Sequence, residues 1–288
     1  VNIIEHQPAV RTVQLSGGVT LELGRRTLIM GILNATPDSF SDGGSYANVS
    51  AAVERAKQMA EEGADIIDIG GESTRPGFTP VSEEEEISRV VPVIRALREA
   101  LPQMALSIDT YKAETARHAL EAGAHIVNDI WALQYSPEMA KVVAEFGCPV
   151  IVNHNRPERD YTDFVADVLA DLQESVRIAH EAGVRDEQIW LDPGIGFAKD
   201  YAENIAMMGR LSDLAALGYP VLLGTSRKGF IGQALGGVPV NDRVEGTAAT
   251  VTLGIAQGCG IVRVHDVRAM KRTAMMTDAI VYRDRQRG

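Results

Sequence analysis

Acids, amides and cations able to bind a flat, nitrogen-rich ring recur at intervals along this 288-residue chain, each just beyond a short apolar run. Asp109, Asn128, Asp192 and Lys228 supply acceptors, an amide and a cation. A carboxylate facing an amino-pyrimidine edge makes paired hydrogen bonds, as it does with other planar nitrogen donors. Arg263 and His265 are two apart in an apolar run, so as strand residues both point the same way. With Asn34 they form a candidate anion pocket, suited to pyrophosphate and to Mg²⁺ on hard oxygen ligands. The six histidines are scattered and none forms an HxxxH pair within a helical stretch, which argues against zinc.

The elements that must position these groups are legible from periodicity. A hairpin is predicted from Thr12–Leu15, a Gly17-Gly18 turn and Thr20–Leu23. Eight strand candidates follow: Thr27–Leu33, Ile66–Ile69, Ala105–Ile108, His125–Asn128, Val150–Asn153, Gln188–Leu191, Val221–Gly224 and Ile261–Val264. Between them lie helical patterns, among them Ala51–Glu62, Glu83–Ala100, Ala113–Glu121, Phe164–Ala182 and Val244–Gln257. Glu62-Gly63-Ala64, Ala122-Gly123-Ala124 and Ala182-Gly183-Val184 read as helix stops with a left-handed glycine. Near-continuous apolar strands alternating with helices call for a parallel sheet covered by helices. Eight such units in one chain of this length point to a (β/α)8 barrel, a single domain over 1–288 with the hairpin at about 12–24. An open doubly wound sheet is the runner-up, but no GxGxxG follows the first strand and no linker interrupts the chain.

In such a barrel the site forms at the C-terminal ends of the strands, which is where the polar clusters fall. Two long polar loops there, Pro37–Asn48 and Gly70–Ser82, read as lids or binding loops. The net charge of −11 excludes non-specific binding to nucleic acid or to an anionic membrane. Cys148 and Cys259 stand before apolar runs and read as buried free thiols, fitting a reducing compartment. No apolar run approaches a membrane span, the N-terminus is polar, and a cytoplasmic protein is expected. The methionines of Ala269–Thr277 are expected to pack a last helix onto the barrel.

Residues Met30–Gly43 (MGILNATPDSFSDG) and Ala64–Gly77 (ADIIDIGGESTRPG) resemble the two signature stretches of dihydropteroate synthases. Ser107–Thr110, Val127–Ile130, Leu191–Phe197, Gly224–Lys228 and Arg263–Val267 extend the likeness from Leu21 to about Ala279. The resemblance implies that a pterin pyrophosphate is condensed with para-aminobenzoate by an SN1-like displacement, with Mg²⁺ and as a homodimer. It implies a pterin held by Asp109, Asn128, Asp192 and Lys228, with Phe197 and Gly224 lining the pocket. Pyrophosphate would meet Asn34, Arg263 and His265, with Asn34 also on the metal. Thr36, Phe40, Thr74, Arg75 and Pro76 would form the para-aminobenzoate site, and Asn34, Asp42, Lys228, Arg263 and His265 the catalytic set. For the dimer, Ile255, Met270 and Met275 are the expected apolar surface. Two positions depart from the family pattern: Asn153, where an apolar residue is usual, and Gly229, where serine is usual. A pterin-dependent methyltransferase and a pterin-binding paralogue without turnover are the alternatives. The Thr36–Gly43 loop, Arg75 and the Arg263–His265 pair favour the synthase over the former.

Overall fold

A computed structural model describes residues 8–36, 45–73 and 79–282. The hairpin β1 (Arg11–Gln14) and β2 (Thr20–Leu23) pairs antiparallel. Eight parallel strands follow: β3 (Leu28–Asn34), β4 (Ile66–Gly70), β5 (Ala105–Asp109), β6 (Ile126–Asp129), β7 (Val150–Asn153), β8 (Ile189–Asp192), β9 (Leu222–Leu223) and β10 (Ile261–Val264). Their order is β8-β7-β6-β5-β4-β3-β10-β9, and a single parallel bridge, Leu191 with Val221, joins the two ends into a (β/α)8 barrel.

The helices around it are α1 (Ser45–Glu62), α2 (Glu83–Ala100), α3 (Ala113–Ala122), α4 (Pro137–Phe146), α5 (Phe164–Glu181), α6 (Tyr201–Met208), α7 (Leu211–Ala215), α8 (Gly229–Ala234), α9 (Val244–Ala256) and α10 (Val267–Val281). The five read from the sequence are present. Ser82 caps α2 by accepting from the Glu85 amide, and Glu83–Glu86 place negative charge on its first turn. Gly63, Gly123 and Gly183 are left-handed and end α1, α3 and the turn after α5, as their spacing predicts. One boundary moves: α1 begins at Ser45, so the expected loop Pro37–Asn48 is shorter than its polar composition suggests. Among the described residues no helix is long and apolar enough to cross a membrane.

Side-chain parity divides each strand. Outward residues such as Ile29, Ile67, Leu106, Val127, Val152 and Val262 pack under the helices. Inward residues of the lower barrel form a separate apolar cluster: Leu28, Met30, Ile66, Ala105, Ile126, Ile151, Trp190, Leu222 and Ile261. Leu15, Val19, Leu21 and Leu23 of the hairpin join it and plug the bottom. Both cysteines are buried and free, and burial pushes the Cys148 thiol up to about 12.

Two of the three residues expected to offer apolar surface for a dimer do not. Ile255 and Met270 are fully buried in the protomer, because α9 and α10 use those faces against the barrel. Met275 is exposed, and Leu253, Met276 and Ile280 are exposed with it.

Candidate active site

Two residues above the apolar floor, the same inward parity places Asp68, Ser107, Asn128, Asn153, Asp192 and Arg263 at the next level of the barrel lumen. All but Arg263 are buried. Arg263 donates from Nε to Asp68 Oδ2 at 2.6 Å and from Nη2 to Asp109 Oδ2 at 2.9 Å. The Asn128 amide donates to the same Asp68 oxygen at 3.1 Å. These contacts leave Asp68 Oδ1, Asp109 Oδ1, Asn128 Oδ1 and Ser107 Oγ buried without a hydrogen-bond partner. A buried polar atom without a partner costs about 1–3 kcal/mol, so four facing one lumen are groups awaiting a polar ligand.

The electrostatics follow from this crowding. Burial raises the Asp109 pKa to about 7; Arg263 opposes that rise and Asp68 adds to it. Asp192 is also raised by burial, against the pull of Lys228. Desolvation lowers the Lys228 ammonium to about 8, although Asp192 holds it up. Lys228 donates to the Ile195 carbonyl and lies 4.9 Å from the centroid of the Phe197 ring. A β-carbon on Gly224 would come within 3.9 Å of Lys228 Nζ and 3.8 Å of Arg263 Cβ, so the bare backbone leaves room beside both cations. Direct contacts and charge interactions thus link Asp109, Asn128, Asp192, Phe197, Gly224 and Lys228, together with Asp68 and Arg263, at the top of the barrel.

The turn after β9 aims the cation. Arg227 adopts φ +58°, a left-handed conformation that a non-glycine residue keeps only when its surroundings enforce it. Here Asp266 accepts from Arg227 Nε at 2.9 Å and from Nη2 at 2.6 Å, and Arg243 donates to the Arg227 carbonyl at 2.9 Å. The preceding Ser226 accepts from the His265 backbone amide at 3.0 Å, and its Oγ lies 2.8 Å from His265 Nδ1. These two contacts fix the His265 ring against the turn that carries Lys228. Arg55 donates to the His265 carbonyl at 3.3 Å.

Asn34, half-buried, sits where β3 meets Gly70 of β4, and Thr36 lies just above it. Phe40, Asp42, Thr74, Arg75 and Pro76 lie outside the described residues. The described flanks of the second loop are anchored. Lys112 donates to Glu72 Oε2 at 2.5 Å, to Glu86 Oε2 at 2.9 Å and to the Val81 carbonyl at 2.9 Å. Tyr111 donates to Glu72 Oε1 at 2.7 Å. The buried Asn153 amide donates to the carbonyls of His154 at 3.2 Å and Ile130 at 3.4 Å, which gives its polar nitrogen partners. Gly229 opens α8 with nothing within 4 Å of a would-be β-carbon, so a side chain fits there.

Three contributors, Asp68, Ser107 and Ser226, receive no role from the sequence, although Asp68 and Ser226 fall in its strand-end polar clusters. The first two had a readable signal. A polar residue in the middle of an otherwise apolar, doubly covered strand (Ile67-Asp68-Ile69, Leu106-Ser107-Ile108) must face the lumen. Ser226 lies in the polar run after β9, but its pairing with His265, 39 residues away, leaves no local signal.

The sequence profile of the family described as pterin binding enzymes matches residues 30–265. The chain is 56% identical over 261 residues to the dihydropteroate synthase of Bacillus subtilis, covering 91% of each protein. It superposes with a TM-score of 0.88 on a Clostridium difficile dihydropteroate synthase solved with pteroic acid, at 49% identity over 90% of this chain and 98% of that one. A Xanthomonas albilineans dihydropteroate synthase with 4-aminobenzoic acid also gives a TM-score of 0.88, at 42% identity over 96% and 98%.

Proposed function

The chain belongs to the pterin binding enzyme family, among its dihydropteroate synthases, and from that premise we propose how its barrel mouth divides the work of the reaction. The enzyme is a transferase of folate biosynthesis that joins 6-hydroxymethyl-7,8-dihydropterin pyrophosphate to para-aminobenzoate, giving 7,8-dihydropteroate and pyrophosphate.

The pterin lies in the upper lumen with its amino-pyrimidine edge against Asp109, Asn128 and Asp192. Lys228 and Phe197 border its ring, and Gly224 leaves the space beside them. The observation that carries this assignment is the set of buried, partnerless polar atoms on Asp68, Asp109, Asn128 and Ser107. Their desolvation is offset when a flat ring with several donors and acceptors enters. Asn34, Arg263 and His265 receive the pyrophosphate. Arg263 then has two tasks, since it also bridges Asp68 and Asp109.

The bond between the pterin methylene and the pyrophosphate oxygen breaks first, leaving a resonance-stabilised cation. The arylamine nitrogen attacks that carbon, and its extra proton passes to solvent or to the departing pyrophosphate. An arylamine is already neutral at pH 7, so the chain supplies charge stabilisation for the leaving group, positioning and exclusion of water rather than a strong base. Thr36, Phe40, Thr74, Arg75 and Pro76 form the para-aminobenzoate site, with Asp42 assisting on the first loop.

The donor set fits a Mg²⁺ ion carried on the pyrophosphate. Asn34 offers one hard carbonyl oxygen, and among the described residues no three His, Cys, Asp or Glu side chains converge. Magnesium tolerates few protein ligands when phosphate oxygens and water complete its shell; bound there, it would offset the charge of the leaving group.

The exposed Leu253, Met275, Met276 and Ile280 on α9 and α10 support a homodimer through those helices. Light scattering would read a dimer mass, and a concentration-independent monomer would remove this part of the proposal. Two buried free thiols fit a cytoplasmic setting.

The deciding assay is pyrophosphate release from the pterin pyrophosphate with Mg²⁺, with and without para-aminobenzoate. Release coupled to dihydropteroate and lost in Lys228→Ala and Asp109→Ala is expected. Pterin binding without release would overturn the catalytic assignment of the mouth.

A further inference from the structure

The loop leaving β8 carries two of the groups assigned to the pterin, Asp192 at its start and Phe197 near its end. Its path is not one the backbone would choose unaided. Gly194, Gly196 and Ala198 have φ of +69°, +85° and +46°. A β-carbon on Gly194 would stand 1.9 Å from the His154 carbonyl oxygen, so this loop is pressed directly onto the end of β7. Ala198 has no glycine's freedom and needs an external hold.

That hold can be traced carbonyl by carbonyl. Lys199 Nζ donates to the Gly194 carbonyl at 3.0 Å and to the Phe197 carbonyl at 2.9 Å. Tyr161 donates to the Ala198 carbonyl at 2.8 Å, and Lys228 to that of Ile195. The third N–H of Lys199 points at His154 Nδ1, 2.8 Å away. Burial lowers Lys199 to about 7, against the pull of Asp192, and in its protonated form the ammonium has three protons and no acceptor site, so all three are matched and Nδ1 accepts. The His154 proton is thereby placed on Nε2, which lies 2.9 Å from Asp171 Oδ2 on α5. Arg156 secures that carboxylate through Nε at 2.6 Å and Nη2 at 3.2 Å. His154 and Lys199 are almost wholly buried, and burial lowers His154 to about 4, in keeping with a neutral ring that accepts.

We propose that Lys199 is a positioning residue for the pterin, its ammonium closing the Gly194–Phe197 loop from behind and its donor pattern fixed through His154 by Asp171. Lys199 lies on the far side of the loop from the lumen and acts by setting Asp192 and Phe197, not by touching substrate. The relay is carried by the end of β7, α5 and the loop after β8, whereas the residues proposed for para-aminobenzoate belong to the loops after β3 and β4. The inference rests on the pterin reading above.

The test measures pterin affinity and both KM values in Lys199→Met and Asp171→Asn, using pteroic acid as the calorimetric probe. Lys199→Met is expected to weaken pterin binding at least about tenfold while KM for para-aminobenzoate stays within about twofold. Asp171→Asn, at the outer end of the relay, is expected to weaken it about threefold with the same selectivity. A merely structural role would lower the active fraction and leave both KM values alike, and that result would overturn the proposal. If Lys199→Met does not fold, Asp171→Asn decides, and unchanged pteroic acid affinity there overturns it too. Absence of pteroic acid binding by the unsubstituted protein would instead overturn the pterin reading, and this inference with it.

Discussion

At the floor of the barrel Ile66, Ala105, Ile126, Ile151, Trp190 and Ile261 point inward and meet the hairpin's leucines. Two residues further along the same six strands, Asp68, Ser107, Asn128, Asn153, Asp192 and Arg263 point inward at the opposite end. One step of the pleat exchanges an apolar plug, in which the Trp190 indole nitrogen lacks a partner, for a polar layer in which Asp68 Oδ1, Ser107 Oγ and Asn128 Oδ1 lack one. The floor gains free energy from folding, at about 25 cal/mol per Å² of apolar surface removed from water. The mouth holds desolvated charge whose return comes only with ligand. Stability and function are thus separated by about 7 Å of strand.

That division can be broken by substitution, and the largest effects belong to the mouth. Lys228→Ala and Asp109→Ala are expected to lower kcat/KM by about a thousandfold or more, while the melting temperature moves by no more than a few degrees. A collapse of stability on that scale would show that the charged layer also supports the fold. Trp190→Ala is the converse. Deleting this fully buried ring should cost about 3–5 kcal/mol in denaturant unfolding, with pterin KM unchanged for the folded fraction.

How much of this arrangement the sequence carried depends on whether the signal was local. The eight strands were legible because each is a short apolar run, and inward parity followed from a period of two. The helices α4, α6, α7 and α8 went unread. Three of them are eight residues or fewer, too short for a full helical pattern, and α4 opens on Pro137, which resembles a turn until its N1 position is known. Asp109, Asn128, Asp192 and Lys228 were found as strand-end polar residues. The Arg263 contacts were not. The sequence gives its direction along β10 but cannot show that Asp68 and Asp109, on strands four and five, lie within its reach. Lys199 was invisible for a related reason, since a lysine beside Asp200 and Tyr201 reads as solvent-facing.

A smaller test sharpens the same contrast through pH. Pterin affinity should be greatest between about 7 and about 8, where Asp109 is ionised and Lys228 still charged, and should fall on either side. Stability should respond with opposite slopes at the two ends. Asp109 is raised from 3.8 to about 7, so the folded form binds more protons in that window and its contribution is lost as pH rises through it. His125, at the lower barrel, is lowered from 6.5 to about 4, so its contribution is lost as pH falls through that range. Denaturant midpoints from pH 4 to 8 should therefore lose the first slope in Asp109→Asn and part of the second in His125→Gln. Slopes of the same sign would refute the assignment of opposite environments.

The barrel is also a hoop with one weak joint. Every neighbouring pair of strands shares a ladder except β8 and β9, which are clasped by the single Leu191–Val221 bridge and the Leu191 amide on Pro220. Asp192 and Lys228 leave the barrel on the two sides of that joint. A ligand held by both acts as a rivet across it, so occupancy should tighten the ring where it opens most readily. Slower amide exchange at Leu191 when pteroic acid is bound would register that tightening.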